Sequence, residues 1–404
     1  MLNSILSGDY PRSRLLTGLL ILVVLGLAGG PFLWDGAVAY RTITLICLFI
    51  ILVASYDILL GYTHIVSFAH TMFYGVGAYG VAIVLQEMPG SWAGVFLGTL
   101  AGLGVSIVLA LLIGLFSLRV KAIFFALVTL AVATGFMILV SKFYHLTGGE
   151  DGLTLRVPRE LGPAFKFIEN SEGRVAQWYG FDIPTFFRAF FDSNVSFGDA
   201  VMKVRMSGKI LMYYVVFIAS AVLFLGMLRM MNSPFGRVLQ AIRENEFRAE
   251  ALGYRTMYYR TANVVVAAIM ASLAGSLTAL AIRYVNPDTT LSFVLMVNIL
   301  LMCVIGGMGT LWGAVIGTAL FVIAETYLQD FMGLGYGAVQ NVPVVSEFIN
   351  PDRWHLWFGL LFILSVYFFP KGIVGTLRAR GERKTGVGKG ANGEAAGETK
   401  PAEA

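Results

Sequence analysis

The chain has 404 residues, 57% of them hydrophobic and only 13% charged, with a formal net charge of +5. Soluble domains carry about 25% charged residues, so this composition excludes a water-soluble globular protein. The sign of the net charge says less than its distribution, because the charged residues gather in a few segments between long apolar runs.

A helix needs about 20 predominantly apolar residues to cross the hydrocarbon core. In chain order, such runs predict spans at 15–34, 42–61, 65–85, 93–117, 122–141, 208–229, 261–282, 293–308, 311–328 and 355–370. The first has the outline of a signal peptide, with Arg12 and Arg14 ahead of it and Ala28-Gly29-Gly30 near its end. Its apolar stretch continues through Pro31–Trp34, so an uncleaved first helix is expected. The span 65–85 contains Ser67, His70 and Thr71, then Gly75, Gly77 and Gly80, and is expected to be broken or re-entrant. The spans 293–308 and 311–328 are short, meet at Gly306-Gly307-Met308-Gly309, and are candidates for discontinuous helices.

Ten spans put both termini on one side. Arg12 and Arg14, the turn Leu118–Lys121, the loop 230–260 and the tail 371–404 then share that side. The loop alone carries Arg237, Arg243, Arg248, Arg255 and Arg260, so this side is expected to be cytoplasmic. The other side carries Asp35, Arg41, Glu87 and the long segment 142–207. The expected architecture is an all-α polytopic membrane protein with about ten transmembrane or partly re-entrant helices and both termini cytoplasmic. A membrane domain over 1–376 carries a periplasmic insertion at 142–207 and a cytoplasmic loop at 230–260. The tail 377–404 is rich in Gly, Ala, Glu and Lys, cannot bury a core, and is expected to be disordered.

Within the loop, Ser233 is a candidate cap, Pro234 suits a first helical turn and Gly253 suits the position just past a helix end. A helix over 234–252 places Phe235, Val238, Leu239, Ile242, Ala249 and Leu252 on one side and Arg237, Gln240, Glu244 and Arg248 broadly opposite. Such a helix either lies in the membrane interface or docks a soluble partner. Phe247 falls on the polar side, where a large aromatic suits a partner's pocket.

Absences narrow the chemistry. The chain has no G-x-x-x-x-G-K-[ST] run and no H-E-x-x-H. Its two cysteines, Cys47 and Cys303, lie inside apolar runs, which fits neither a disulfide framework nor a metal site. No catalytic residues, cofactor or metal are expected in this chain.

The loop Ser233–Gly253 resembles the cytoplasmic coupling loop of the permease subunits of branched-chain amino-acid ABC importers. Four other stretches resemble that family in order. They are Gly61-Tyr62 with Ser67, His70, Phe73 and Gly75–Tyr79; Thr147-Gly148-Gly149 with Gly152-Leu153; Gly306–Thr310 with Gly313 and Gly317; and Phe369–Gly372 with Gly375. The chain departs from the pattern at His64-Ile65, Ala69 and Asp57, and in a longer insertion after Leu153. The resemblance implies a non-enzymatic transport subunit in the bacterial inner membrane. Its partners would be a second related permease, two cytoplasmic ATPase subunits that bind ATP and Mg, and a periplasmic solute-binding protein. It also implies coupling to the ATPases through Arg243, Glu244, Glu246, Phe247, Ala249, Glu250 and Gly253.

For the translocation path, intramembrane polar and glycine positions are the candidates: Ser67, His70, Gly75, Gly77, Asn298, Gly307 and Gly309. Close helix packing explains the glycines equally well, and a hydrogen bond to a neighbouring helix explains His70. Ser272, Ser276 and Thr278 are further buried-polar candidates. Asp57 and Glu325 lie near predicted span ends and are expected to reach the interface. An ion-gradient-driven secondary transporter is the main rival, and no central acid stands out for it. The substrate stays open among branched-chain and other hydrophobic amino acids, amides, urea and small aromatic acids.

Overall fold

The computed structural model describes residues 14–34, 36–117, 122–165, 177–181, 201–205, 207–339 and 350–384. The chain is a helical, polytopic membrane protein. Its first half forms α1 (Arg14–Ala28), α2 (Gly30–Leu33), α3 (Ala37–Thr63), α4 (His70–Glu87), α5 (Trp92–Ser117), α6 (Ala122–Lys142) and α7 (Tyr144–Thr147). The insertion contributes β1 (Leu153–Thr154), β2 (Gln177–Phe181) and β3 (Val201–Arg205). The second half forms α8 (Gly208–Met231), α9 (Pro234–Glu244), α10 (Glu246–Ala251), α11 (Thr256–Ile282), β4 (Tyr284–Val285), α12 (Pro287–Thr290), α13 (Phe293–Gly306), α14 (Leu311–Val339), α15 (Trp354–Phe368) and α16 (Gly372–Lys384). Among the described residues, eight helices are long and apolar enough to cross a membrane, with α1 a shorter apolar helix beside them.

The bundle is built around α3, α4 and α11. Burial of α3 is nearly complete from Ile50 to Thr63. Helix α4 is not among the eight, because His70, Thr71, three glycines and its polar C-terminal end dilute its hydropathy. It does not need a lipid-compatible surface, since neighbouring helices cover it from His70 to Tyr79. Its tight contact with α11 rests on small residues. At Gly77 an added Cβ would overlap the Ser272 backbone, and Ser276 Oγ donates to the Gly77 carbonyl at 3.0 Å. Close backbone approach through small residues drives helix association in lipid, where apolar burial alone gives no preference for a protein neighbour. Helices α5 and α6, by contrast, expose large apolar residues such as Phe96, Ile123 and Ile138, as lipid-facing helices do.

The bundle has two distinct ends. At one, the last turn of α3 meets the α13–α14 turn, α9 and the start of α16. At the other, the insertion packs on the loop after α11. Leu153 pairs with Val285 and Thr154 with Tyr284, and Gln86 Nε2 donates to the Thr154 carbonyl at 2.8 Å. The loop 230–260 and the insertion therefore lie on opposite faces.

Several sequence expectations change. The interruption expected in 65–85 falls before His70, and α4 runs unbroken to Glu87. Because His70 Nε2 lies 2.9 Å from Ser55 Oγ, two turns above Thr63, α4 starts inside the bundle. Residues 64–69 climb there as non-helical backbone, which is tolerated at membrane depth only where protein surrounds it. The Gly306–Gly309 segment is a tight hairpin turn, with φ of +117° at Gly307 and +79° at Gly309, and not a break within a span. The Gly75–Gly77 segment, by contrast, is helical.

Helix α14 extends to Val339, well past the expected end at 328. Glu325 therefore sits within the helix rather than at its end, half-buried beside a cavity near the insertion end of the bundle. Asp57 does not reach an interface: it is 1% exposed, and its Oδ1 accepts from Gly309 N at 2.7 Å. Residues 377–384, assigned to a disordered tail, continue α16. The remainder of that tail, the Leu118–Lys121 turn and Asp35 lie outside the described residues.

Candidate functional site

The loop 230–260 forms two helices where one was expected. Helix α9 ends at Glu244, Asn245 is extended, and α10 starts anew. The break is stabilised by Asn245, whose side chain accepts from Arg248 N at 3.0 Å and caps α10. Ser233 occupies the cap position of α9 but does not cap it, because its hydroxyl donates back to the Met230 carbonyl at 2.6 Å. Gly236, Leu239 and Ile242 are buried against the bundle, and Phe235 stacks on Tyr259 at a centroid distance of 6.0 Å. The apolar side of α9 is thus consumed by this chain's own helices. Leu252, expected on that same side, is 71% exposed because the chain changes direction at Asn245.

The seven predicted coupling residues separate into two groups. Five are held within the chain. The Arg243 guanidinium donates from Nη1 to the Gly61 carbonyl and from Nε to His64 Nε2, the latter at 3.0 Å. Glu246 forms a two-point salt bridge with Arg260 at 2.8 and 2.9 Å. Glu250 accepts from Thr256 Oγ1 at 2.8 Å, Ala249 is 2% exposed, and Gly253 sits at φ +91° past the end of α10. The other two, Glu244 and Phe247, face outward, with Phe247 84% exposed. Leu252, Tyr254 and Tyr258 are exposed nearby in sequence, and the 3.6-residue period had not singled them out as a surface.

Arg243 links this loop to the centre of the bundle. Gly61 is in the last turn of α3, and Asp57, one turn earlier, holds the backbone of Gly309. Arg243 therefore bears on α3 and on the α13–α14 turn at the same point. A cavity of about 280 Å³ beside it is lined by His64, Arg243, Glu244, Glu246 and Arg260. His64 is pushed below the ordinary histidine range, first by partial burial and then by the Arg243 guanidinium. In its neutral form it can accept the Arg243 hydrogen bond.

The predicted path residues do not come together. Ser67 and His70 are buried, with His70 Nε2 near Ser55 Oγ and the Leu52 carbonyl. Gly75 packs on Leu291 and Gly77 on Ser272, while Gly307 and Gly309 form the turn at the loop end. Asn298 borders an open cavity, as does Thr278 from the further buried-polar candidates. That cavity, about 650 Å³, opens at the insertion end between α3, α11, the Tyr284–Ser292 segment, α13 and α14. It combines an apolar wall (Leu45, Phe49, Leu295, Val322) with charged and polar groups (Arg41, Asp288, Glu325, Asn298). Its size lies within the range of small-molecule sites, about 300–1,000 Å³.

Comparison with known proteins adds an independent line. Residues 38–366 match the family described as "Branched-chain amino acid transport system / permease component". The chain is similar to the high-affinity branched-chain amino acid transport system permease protein LivM of Salmonella typhimurium, 26% identical over 92% of this chain and 78% of that one. It is equally similar to LivM of Escherichia coli, with 26% identity and the same coverage. The high-affinity branched-chain amino acid transport system permease protein BraD of Pseudomonas aeruginosa is 25% identical over 79% of this chain and 89% of its own length. No solved structure matches.

Proposed function

The chain belongs to the family of branched-chain amino acid transport system permease components, and from that premise we propose that it is the membrane-spanning permease of an ATP-driven importer in the bacterial inner membrane. Its cargo is a branched-chain or related hydrophobic amino acid, as the names of its relatives suggest. It works with a second related permease, two cytoplasmic ATPase subunits that hold ATP and Mg, and a periplasmic solute-binding protein. This chain performs no hydrolysis itself.

The observation that carries the reading is the seating of α9 and α10 at the bundle's end. Their apolar side is buried on the central helices, Arg243 grips the end of α3, and Phe247 stands 84% exposed. A helix pair that only floated in the membrane interface would direct its large aromatic toward lipid. With the apolar side of α9 already occupied, the exposed aromatic suits a pocket in a soluble partner. Movement of that partner would shift Arg243, and with it α3 and the Gly309 turn. Transport follows only if the cargo binds the resulting states differently. The basic residues of the 230–260 loop support a cytoplasmic position for this end.

Uptake of labelled leucine into proteoliposomes holding the assembled complex tests this reading. Uptake is expected to require ATP and the solute-binding protein. Uptake driven by an ion gradient without ATP would refute it. Cysteine labelling checks the topology: in right-side-out vesicles an impermeant reagent is expected to reach Asp151→Cys and not Glu244→Cys.

A further inference from the structure

The cavity at the insertion end is charged as well as apolar: its lining includes one guanidinium and two carboxylates, groups that do not suit contact with hydrocarbon. Nor are these charges spent on one another. Among the described residues, none of Arg41, Asp288 and Glu325 forms a salt bridge, and His355 is the titratable neighbour that acts on Glu325. Helices α3 and α14 run antiparallel, meeting at Gly61 and Gly309 at one end and at Thr42 and Tyr327 near the other. Counting along the two helices from the Thr42–Tyr327 contact at 1.5 Å per residue, Arg41 and Glu325 differ by only about 5 Å in depth. A cation and an anion thus border one cavity at nearly one level, and the apolar residues Leu45, Phe49 and Val322 extend the wall inward from them.

The geometry points to a binding site for a zwitterionic α-amino acid with an apolar side chain. Arg41 receives the carboxylate through its planar fork. Glu325, with the Asn298 amide oxygen beside it in the lining, receives the ammonium. The cargo's branched side chain lies along Leu45, Phe49 and Val322, where Leu295 and Val294 face it. Asp288 joins the lining from the segment that follows the β1–β4 pair. Both cargo charges find a counter-charge only when presented together, which selects against molecules bearing one of them. The assignment rests on the importer reading, and it names the groups that would read the cargo within the membrane.

The test uses the assembled complex in nanodiscs, with Leu295→Cys as a reporter. The native Cys47 and Cys303 are buried. Leucine at about ten times its half-saturating concentration is expected to slow thiol labelling about tenfold. Two probes of similar shape, 4-methylpentanoate and isopentylamine, each lack one charge and are expected to give no protection. Protection by leucine is expected to disappear in Arg41→Gln and in Glu325→Gln. Retained protection in both variants, or equal protection by all three probes, would overturn the proposal. If leucine fails but another zwitterionic amino acid protects, the site stands and the branched-chain reading falls. If no zwitterion protects while ATP-driven leucine uptake proceeds, the importer reading stands and this site falls.

Discussion

Replacing Arg243 with alanine removes the hydrogen bonds that join the 230–260 loop to the end of α3. The bond to the Gly61 carbonyl is partly buried, and the bond to His64 is exposed. Hydrogen bonds from a charged donor contribute about 1.5–3 kcal/mol each when shielded, and exposed ones far less. Counting the inner bond near the low end and the outer one as marginal, the loop loses about 1.5–2 kcal/mol of its attachment. That corresponds to a shift of roughly 10- to 30-fold toward the detached state. The overall fold is expected to survive, since Leu239 and Ile242 still anchor α9. Amide exchange over 234–251 is therefore expected to accelerate by about that factor, with ATP-driven uptake falling and exchange elsewhere unchanged. Arg243→Lys is expected to be intermediate, because an ammonium cannot bond Gly61 and His64 in the same forked geometry. Wild-type exchange and uptake in both variants would refute the idea that Arg243 carries force from the loop to α3.

Further outcomes are expected in the packing, the loop and the pH response. Gly77→Leu forces a side chain into the Ser272 backbone, so its cost is expected at or above the usual overpacking penalty of about 1–3 kcal/mol. Gly226→Leu, which meets open space, is expected to change the melting temperature little, and equal losses in the two would contradict the packing account. Phe247→Ala is expected to leave the isolated chain's stability within about 0.5 kcal/mol of wild type but to weaken ATPase capture by about 2 kcal/mol, near 30-fold. Gly253→Val, at φ +91°, is expected to cost roughly 1–2 kcal/mol in the loop, and undiminished ATPase co-purification in both loop variants would leave the loop without a docking role. His64 gives a pH signature. Its folded pKa is depressed, so the native state holds fewer protons than the unfolded chain, and stability rises with pH. The contribution is complete above the ordinary value of about 6.5 and is lost as pH falls toward the folded value. His64→Gln is expected to flatten the stability profile below about pH 6.5, and an unchanged slope would exclude His64 as its source.

The sequence alone determined what composition and local periodicity control. Sustained apolar runs located every helix of the bundle, because lipid demands a continuous stretch of a given length. Proline marked the start of α9 and glycine the end of α10, since their backbone preferences act on neighbouring residues only, but the break at Asn245 between them was not legible. Phe247 is outward as helical spacing suggested, but the helix assumed there is broken at Asn245 and the same spacing misplaced Leu252. Tertiary structure decided whatever depends on which helix faces which. Nothing local in His70 or Gly77 shows that the one bonds Ser55 and the other abuts Ser272, so path residues and packing residues looked alike. Asp57 appeared bound for the interface because a sequence cannot show that Gly309 offers it a backbone N–H. The end of α14 was placed too early because its hydropathy fades before the helix ends, and packing against its neighbours carries it on to Val339. The amphipathic cavity draws its walls from helices far apart in the chain, so no motif or spacing could have announced that Arg41 and Glu325 line it together.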